Sequence, residues 1–423
     1  MTIHVVRTGE TLAAIAEHYG VDPARLAADN TVSGGQLAVG QTLVVRFSRQ
    51  VHAVRAGETL SSIARDYGIS IRQLWRNNWP LGGKETVWPG QVLVISYFEE
   101  KLGPAVFNGY AYPNISPALL AEQLPYLTEL APFTYGITSE GALLPLSDEE
   151  MIAAARLHGT APVLHLSTLT ENGQFSTERA ETVLTDGAMQ AALLTQIADT
   201  VRVKGFAGVD VDFEYLPGYL SGAYAAFLER LRRILRPIGR FLWVALAPKT
   251  SADQRGLLYE GHDYAALDAA VDAALLMTYE WGYTAGPPMA VAPLPNVRAV
   301  LDYAVTELPA EKLLLGVPNY GYDWPLPFVQ GQTRAKSISN QQAIDLALQY
   351  RIAIQYDQTA QSPYFHYTAE DGIIHEVWFE DARSLSAKLR LIAEYGFLGS
   401  GIWNLMRPFS QIWLLADSLY DIV

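Results

Sequence analysis

The chain has 423 residues, 50% hydrophobic and 17% charged, which is enough for two or three globular domains. A formal net charge of −14 argues against nucleic acid or an anionic membrane as a partner, and any acidic wall polymer would have to be held locally by hydrogen bonds and stacking. The absence of cysteine excludes disulfides and thiolate metal sites, and the eight histidines show no ligand spacing, so neither metal nor cofactor is expected.

Met1-Thr2-Ile3 leads straight into a folded-looking motif, with no charged n-region, apolar h-region or 18-residue apolar run. Neither a signal peptide nor membrane insertion is expected. An internal repeat follows. Val6-Arg7-Thr8-Gly9-Glu10-Thr11-Leu12 recurs as Val54-Arg55-Ala56-Gly57-Glu58-Thr59-Leu60, and Tyr19-Gly20, Leu26 and Asn30 recur as Tyr67-Gly68, Leu74 and Asn78, all offset by 48. Gly40-Gln41 recurs as Gly90-Gln91, offset by 50. Each copy reads strand, helix, helix, strand. In the first, Val5-Val6 and Leu43–Val45 are strands, Thr11 caps a helix that carries Leu12, Ile15 and Ala16 on one face, and Gly20 stops it. Trp75, Trp79 and Trp88 occur only in the second copy. The domains are expected at 1–48 and 49–98, with short linkers at 48–50 and 98–103 that leave little freedom between them.

From residue 101 to 423 the pattern changes. Eight apolar strand candidates stand at about 104–110, 131–137, 161–167, 206–214, 241–247, 273–279, 313–318 and 399–405, separated by helical segments. In one such segment Phe227, Leu228, Leu231, Ile234 and Leu235 share a face opposite Glu229, Arg230, Arg232 and Arg233. Eight alternations of strand and helix predict an α/β chain folded as a (β/α)8 TIM barrel, with its site at the C-terminal strand ends. The stretch 325–383 is too long for one βα unit and is read as a small α+β insertion between strands seven and eight.

The chemistry is expected in the fourth strand, Gly205–Leu216. Side chains alternate along a strand, so Val209, Val211 and Phe213 face one way while Asp210, Asp212 and Glu214 face the other. Three stacked acids opposite an apolar face repel one another unless they share protons or meet water and substrate. Tyr279 closes strand six in Leu276-Met277-Thr278-Tyr279-Glu280-Trp281-Gly282, and Trp403 closes strand eight. Trp281, Tyr283, Tyr320 and Trp324 follow strands six and seven as candidate cleft walls, and His165 reads as a core or site-wall residue.

Two resemblances give these residues roles. The repeats, with Gly-Glu-Thr-Leu, a Tyr-Gly helix stop, a mid-repeat Asn and a closing Gly-Gln-x-Leu, resemble LysM domains, here of βααβ form. That implies binding of N-acetylglucosamine-containing glycans between the loop with Gly9 and Thr11 and the loop from Asn30, and likewise between Gly57 with Thr59 and the loop from Asn78. Two weak modules in series gain avidity on a polymer. Gly208, Asp210, Asp212 and Glu214 match the D-G-x-D-x-D-x-E signature of glycoside hydrolase family 18. Ala207 replaces its outermost Asp, and Ser167-Thr168-Leu169-Thr170 stands where the family has S-x-G-G. The resemblance implies a retaining, substrate-assisted mechanism. Glu214 is the acid, Asp212 orients the acetamido group, Asp210 shares charge with Asp212, Tyr279 bonds the acetamido oxygen and Trp403 stacks under the sugar. Glu280 departs by a methylene from the family's Asp or Asn. The chain as a whole resembles the cortex-fragment lytic enzymes of endospores. This implies an N-acetylglucosaminidase on peptidoglycan of the spore cortex during germination, made in the mother cell and deposited on the spore coat or cortex. A chitin-oligosaccharide hydrolase and a non-catalytic glycan-binding coat protein are the alternatives.

Overall fold

The computed structural model describes all residues from 1 to 423. Eight parallel strands form the barrel: β1 (Pro104–Ala111), β2 (Glu129–Pro132), β3 (Ala161–Pro162 continuing as Leu164–Ser167), β4 (Gly208–Asp212), β5 (Phe241–Leu246), β6 (Ala273–Leu276), β7 (Leu313–Pro318) and β8 (Gly399–Trp403). β1 pairs with both β2 and β8, and β3 bridges β2 to β4, so the ring closes. Where β3 is interrupted, the Val163 N–H still donates to the Leu130 carbonyl at 2.8 Å.

Several strands end earlier than their apolar runs. β4 stops at Asp212 and β6 at Leu276, so Glu214 and Tyr279 lie on the segments that leave the barrel rim. β2 begins at Glu129, two residues before the expected 131, and Gly136–Ile137 turns away to pair with Leu143–Leu144. The insertion is a five-stranded antiparallel sheet that starts at Gly321–Pro325, earlier than the expected 325, and carries helix Asn340–Gln349.

Each N-terminal repeat folds as strand, two helices, strand. The first runs from Thr2–Val5 through Leu12–Tyr19 and Pro23–Asp29 to Thr42–Val45; the second from Ser48–Ala53 through Leu60–Tyr67 and Ile71–Asn77 to Val92–Tyr97. Residues 48–50 are therefore not a linker: Ser48 already pairs with Tyr97. The helix starts follow local chemistry, since the Thr11 hydroxyl accepts from Ala14 N and Thr59 forms a capping box with Ser62. Asn30 and Asn78 require a correction. Both are buried, and each amide clamps the second helix to the last strand: Asn30 bonds Leu26 O, Val44 O and Val44 N, and Asn78 bonds Leu74 O, Val94 O and Val94 N. With both ends of the amide engaged, neither side chain is free to meet a sugar.

The repeats are docked rather than tethered. Ala38 and Val44 of the first join the same apolar core as the barrel helices. Arg46, buried with its side chain 1% exposed, bonds Glu99 at 2.8 Å and Asp417 of the last helix at 2.8 Å, and its guanidinium lies 3.7 Å from the centre of the Tyr97 ring. Arg72 of the second repeat donates to Pro125 O, Leu127 O and Gly159 O, on the loops that enter β2 and β3 from the N-terminal side. That side is opposite the strand ends where the acids lie. Removing one partner from a buried ion pair leaves the others uncompensated, so Arg46→Met is expected to destabilise the full chain by about 3–5 kcal/mol. Urea unfolding at neutral pH checks this, and a loss under about 1 kcal/mol would show that the docking rests on apolar contact alone.

Candidate active site

The apolar half of β4 holds the acids in place. Val209, Val211 and Phe213 are fully buried among the barrel helices, and Phe213 stacks on Tyr224 and Phe227 at 5.5 and 5.6 Å between ring centres. Alternation then turns Asp210 and Asp212 into the barrel. Gly208 is required below them, because a Cβ there would sit 2.3 Å from the Phe241 ring on β5. Past the strand end, Ala247 N–H donates to His262 Nδ1 at 2.9 Å, which places the ring proton on Nε2, and Nε2 donates to Phe213 O at 2.9 Å. This second anchor fixes the backbone that carries Glu214.

Asp210 is wholly buried, and one of its oxygens accepts from the Tyr110 hydroxyl of β1 at 2.7 Å. Burial raises its pKa to about 6, against the lowering effect of that bond. Asp212 is driven well above the carboxylate range by burial, then by Glu214 and Asp210. Glu214 is half-buried at the rim, and burial followed by the charge of Glu280 raises it to about 7. One oxygen each of Asp210 and Asp212 has no partner in the protein. Burial thus favours the protonated form of Asp212 at neutral pH, and the charges of Asp212 and Glu214 are linked.

The acids open into a cleft of about 390 Å³ at the C-terminal end of the barrel. Asp212, Glu214, Tyr279, Glu280, Trp281 and Trp403 all line it, and neither lysine nor arginine does. Trp403 packs against Phe133, Tyr110 and Tyr112 at 4.8, 5.9 and 6.2 Å, which holds its indole at the cleft floor. His165 also lines the cleft, 3.8 Å from Asp212. Burial lowers its pKa to about 3, so it is neutral and donates no charge.

Tyr320 and Trp324 are not cleft walls. Tyr320 is 5% exposed and donates, with Tyr322, to the Glu280 carboxylate, while Trp324 is buried in the insertion and donates to Gly286 O. The extra methylene of Glu280 is thus accommodated by two tyrosines. Tyr215 and Glu280 have φ of 57° and 66°, left-handed values that cost a non-glycine residue about 1 kcal/mol. Each follows a candidate catalytic side chain and bends the chain away from the rim. Tyr110 carried no local sequence signal, since its partner lies 100 residues away. In the repeats, Gly9 and Gly57 sit in matching exposed turns with φ of 84° and 86°, and Thr11 and Thr59 cap helices beside them.

Residues 171–407 match the model for Glycosyl hydrolases family 18, and 4–46 and 52–96 match the LysM domain. The chain belongs to glycoside hydrolase family 18. It is 44% identical to the cortical fragment-lytic enzyme of Bacillus subtilis (strain 168) across 100% of this chain and 99% of that one. A relative of the same description in Bacillus anthracis is 40% identical over 98% of this chain and 97% of its own. The crystal structure of the Bacillus megaterium QM B1551 spore cortex-lytic enzyme SleL superposes with a TM-score of 0.84 at 36% identity, covering 100% of this chain and 98% of that one. The barrel is therefore that of a glycoside hydrolase.

Glu214 titrates near its ordinary 4.5 when unfolded and near 7 when folded, so between those values the native family 18 barrel binds more protons than the unfolded chain. Stability must fall as pH rises through this window. Glu214→Gln removes the share that Glu214 contributes, leaving that of Asp210 and Asp212. The variant is expected to resist urea better than wild type at pH 8, with the gap closing below about pH 5. Equal curves at both pH values would contradict the raised pKa.

Proposed function

We propose that the protein is a retaining, substrate-assisted N-acetylglucosaminidase of peptidoglycan, acting on spore cortex fragments during germination. The observation that carries the chemistry is Glu214, its pKa raised to about 7 by burial and Glu280, beside Asp212 in an aromatic cleft that no lysine or arginine lines. Glycoside cleavage needs an acid at the leaving oxygen and stabilisation of an oxocarbenium-like centre. Glu214 protonates the glycosidic oxygen. The acetamido oxygen of the −1 sugar attacks C1, and the bond to the leaving sugar breaks. Asp212 accepts from the acetamido N–H and, as its proton passes to Asp210 beneath it, balances the oxazolinium charge, while the Tyr279 hydroxyl donates to the acetamido oxygen. Trp403 stacks on the apolar face of the pyranose. Glutamate 214, now ionised, takes a proton from water, which attacks C1 and opens the ring with net retention.

The substrate reading rests on the relatives, matched over their full length, whose names specify cortical fragments. The electrostatics agree: Asp212, Glu214 and Glu280 line the cleft and no lysine or arginine does, so an anionic muramyl peptide would find no counter-charge there and a neutral muramic-δ-lactam neighbour is favoured. LysM domains add glycan binding remote from the cleft, and the names of the relatives support an endospore-associated location.

Mass spectrometry of cortex fragments should reveal new reducing-end N-acetylglucosamine with wild type, while Glu214→Gln loses about 10²–10⁴-fold in rate. Nuclear magnetic resonance of the first product should show the β-anomer; an initial α-anomer would sink the retaining mechanism. Cleavage of chitin oligosaccharides alone would move the substrate assignment to chitin.

Loss of the Glu214 proton should depress the rate above about pH 7. Glu280→Gln removes a neighbouring negative charge, which lowers the Glu214 pKa, so this limb of the pH profile is expected to move to lower pH. A profile unmoved by Glu280→Gln would show that Glu280 does not tune the acid.

A further inference from the structure

The two LysM repeats are alike in sequence but meet the rest of the molecule differently. The turn that closes the first repeat, residues 38–42, is built into the barrel and its insertion. Ile354 of the insertion donates its N–H to Val39 O at 2.8 Å, and Arg383 donates to Gly40 O at 3.2 Å. Gly40 packs so tightly there that a Cβ would lie 2.0 Å from Ile354 O. Thr42, next on the strand, bonds Gln411 and the Ala382 N–H of two barrel helices.

The same turn in the second repeat is open. Gly90, which corresponds to Gly40, has nothing within 4 Å of an added Cβ. Val92, which corresponds to Thr42, is 59% exposed against 1% for Thr42. The turns themselves match: Ala38 N–H donates to Gln41 Oε1 at 3.0 Å, and Trp88 N–H donates to Gln91 Oε1 at 3.3 Å. What differs is the side chain. Ala38 is 4% exposed in the shared core, whereas Trp88 is 60% exposed.

The other two tryptophans of this repeat are accounted for, since Trp75 and Trp79 pack on His158 and Tyr126 of the barrel. An indole left in water beside an open loop has an apolar face that a pyranose can cover.

We infer that the second repeat is the glycan-holding module, with Trp88 as its stacking residue, and that the first repeat is a structural bracket between barrel and insertion. This rests on the reading that LysM domains here bind N-acetylglucosamine-containing glycan. Because both repeats are docked, a chain held at Trp88 is held at a set distance from Glu214. Avidity from two equivalent modules is then not available, and the second repeat alone sets retention on the polymer.

Hydrogen exchange on the full-length Glu214→Gln chain, with and without an N-acetylglucosamine pentasaccharide, tests the assignment. Slowed exchange is expected at 55–59 and 84–91 and not at 7–11 or 33–41. Trp88→Ala and Ala56→Glu should weaken binding to insoluble peptidoglycan by about fivefold or more, and Thr8→Glu by less than about twofold. Protection in both repeats, or equal losses from Thr8→Glu and Ala56→Glu, would overturn the asymmetry while leaving LysM binding intact. Unchanged binding by Trp88→Ala would remove the indole from the site. A dimer in sedimentation that Trp88→Ala dissolves would make the surface a protein contact instead. Protection confined to 210–214 would refute glycan binding by the repeats altogether.

Discussion

Three carboxylates held away from water on one face of β4 form the constraint on which the rest of the barrel depends. Burying Val209, Val211 and Phe213 on the other face contributes about 1.5–3 kcal/mol each. That gain forces Asp210 and Asp212 inward, because strand geometry offers no other side. The cost of desolvating them is met by the proton that burial favours on Asp212 and by the Tyr110 hydroxyl on Asp210, not by a cation. An arginine in the cleft would have lowered Glu214 and removed its proton at neutral pH. The absence of lysine and arginine from the lining is therefore as much a part of this electrostatic arrangement as the acids are.

Position is secured by packing on every side of this trio. His262 ties down the backbone beyond the strand end, and Phe133 with Tyr110 wedges Trp403. Tyr320 and Tyr322 hold Glu280 where its charge reaches Glu214. The left-handed residues Tyr215 and Glu280 show that the rim is shaped for the side chains before them at some expense of backbone energy. Outside, the Arg46 cluster and the Arg72 contacts hold the repeats as part of one body with the barrel. The glycan-facing surfaces are thus set relative to each other by buried interactions and not by a flexible linker.

Much of this was legible residue by residue. The period-two alternation around Asp210, Asp212 and Glu214 identifies both the buried face and the acid face. Each apolar run marks a barrel strand, since burial on both sides demands it. The ends of those runs misled, because Phe213, Met277 and Tyr279 stay apolar or aromatic for packing and cleft-lining reasons after the ladder has stopped. Asn30 and Asn78 misled in another way. A repeated asparagine after a helix suits a sugar site equally well as a buried clamp, and only its partners distinguish the two.

The sequence by itself determined the strand and helix periods, the paired repeats and the chemistry of the acidic strand, because these depend on neighbours a few residues apart. Tertiary structure alone decided that Tyr110 supports Asp210, that Tyr320 serves Glu280, and that one repeat is closed by Ile354 while the other leaves Trp88 in water. Those outcomes rest on contacts between residues tens to hundreds of positions apart. Local propensity and periodicity carry no information about such contacts, and only the closed barrel brings the partners within reach.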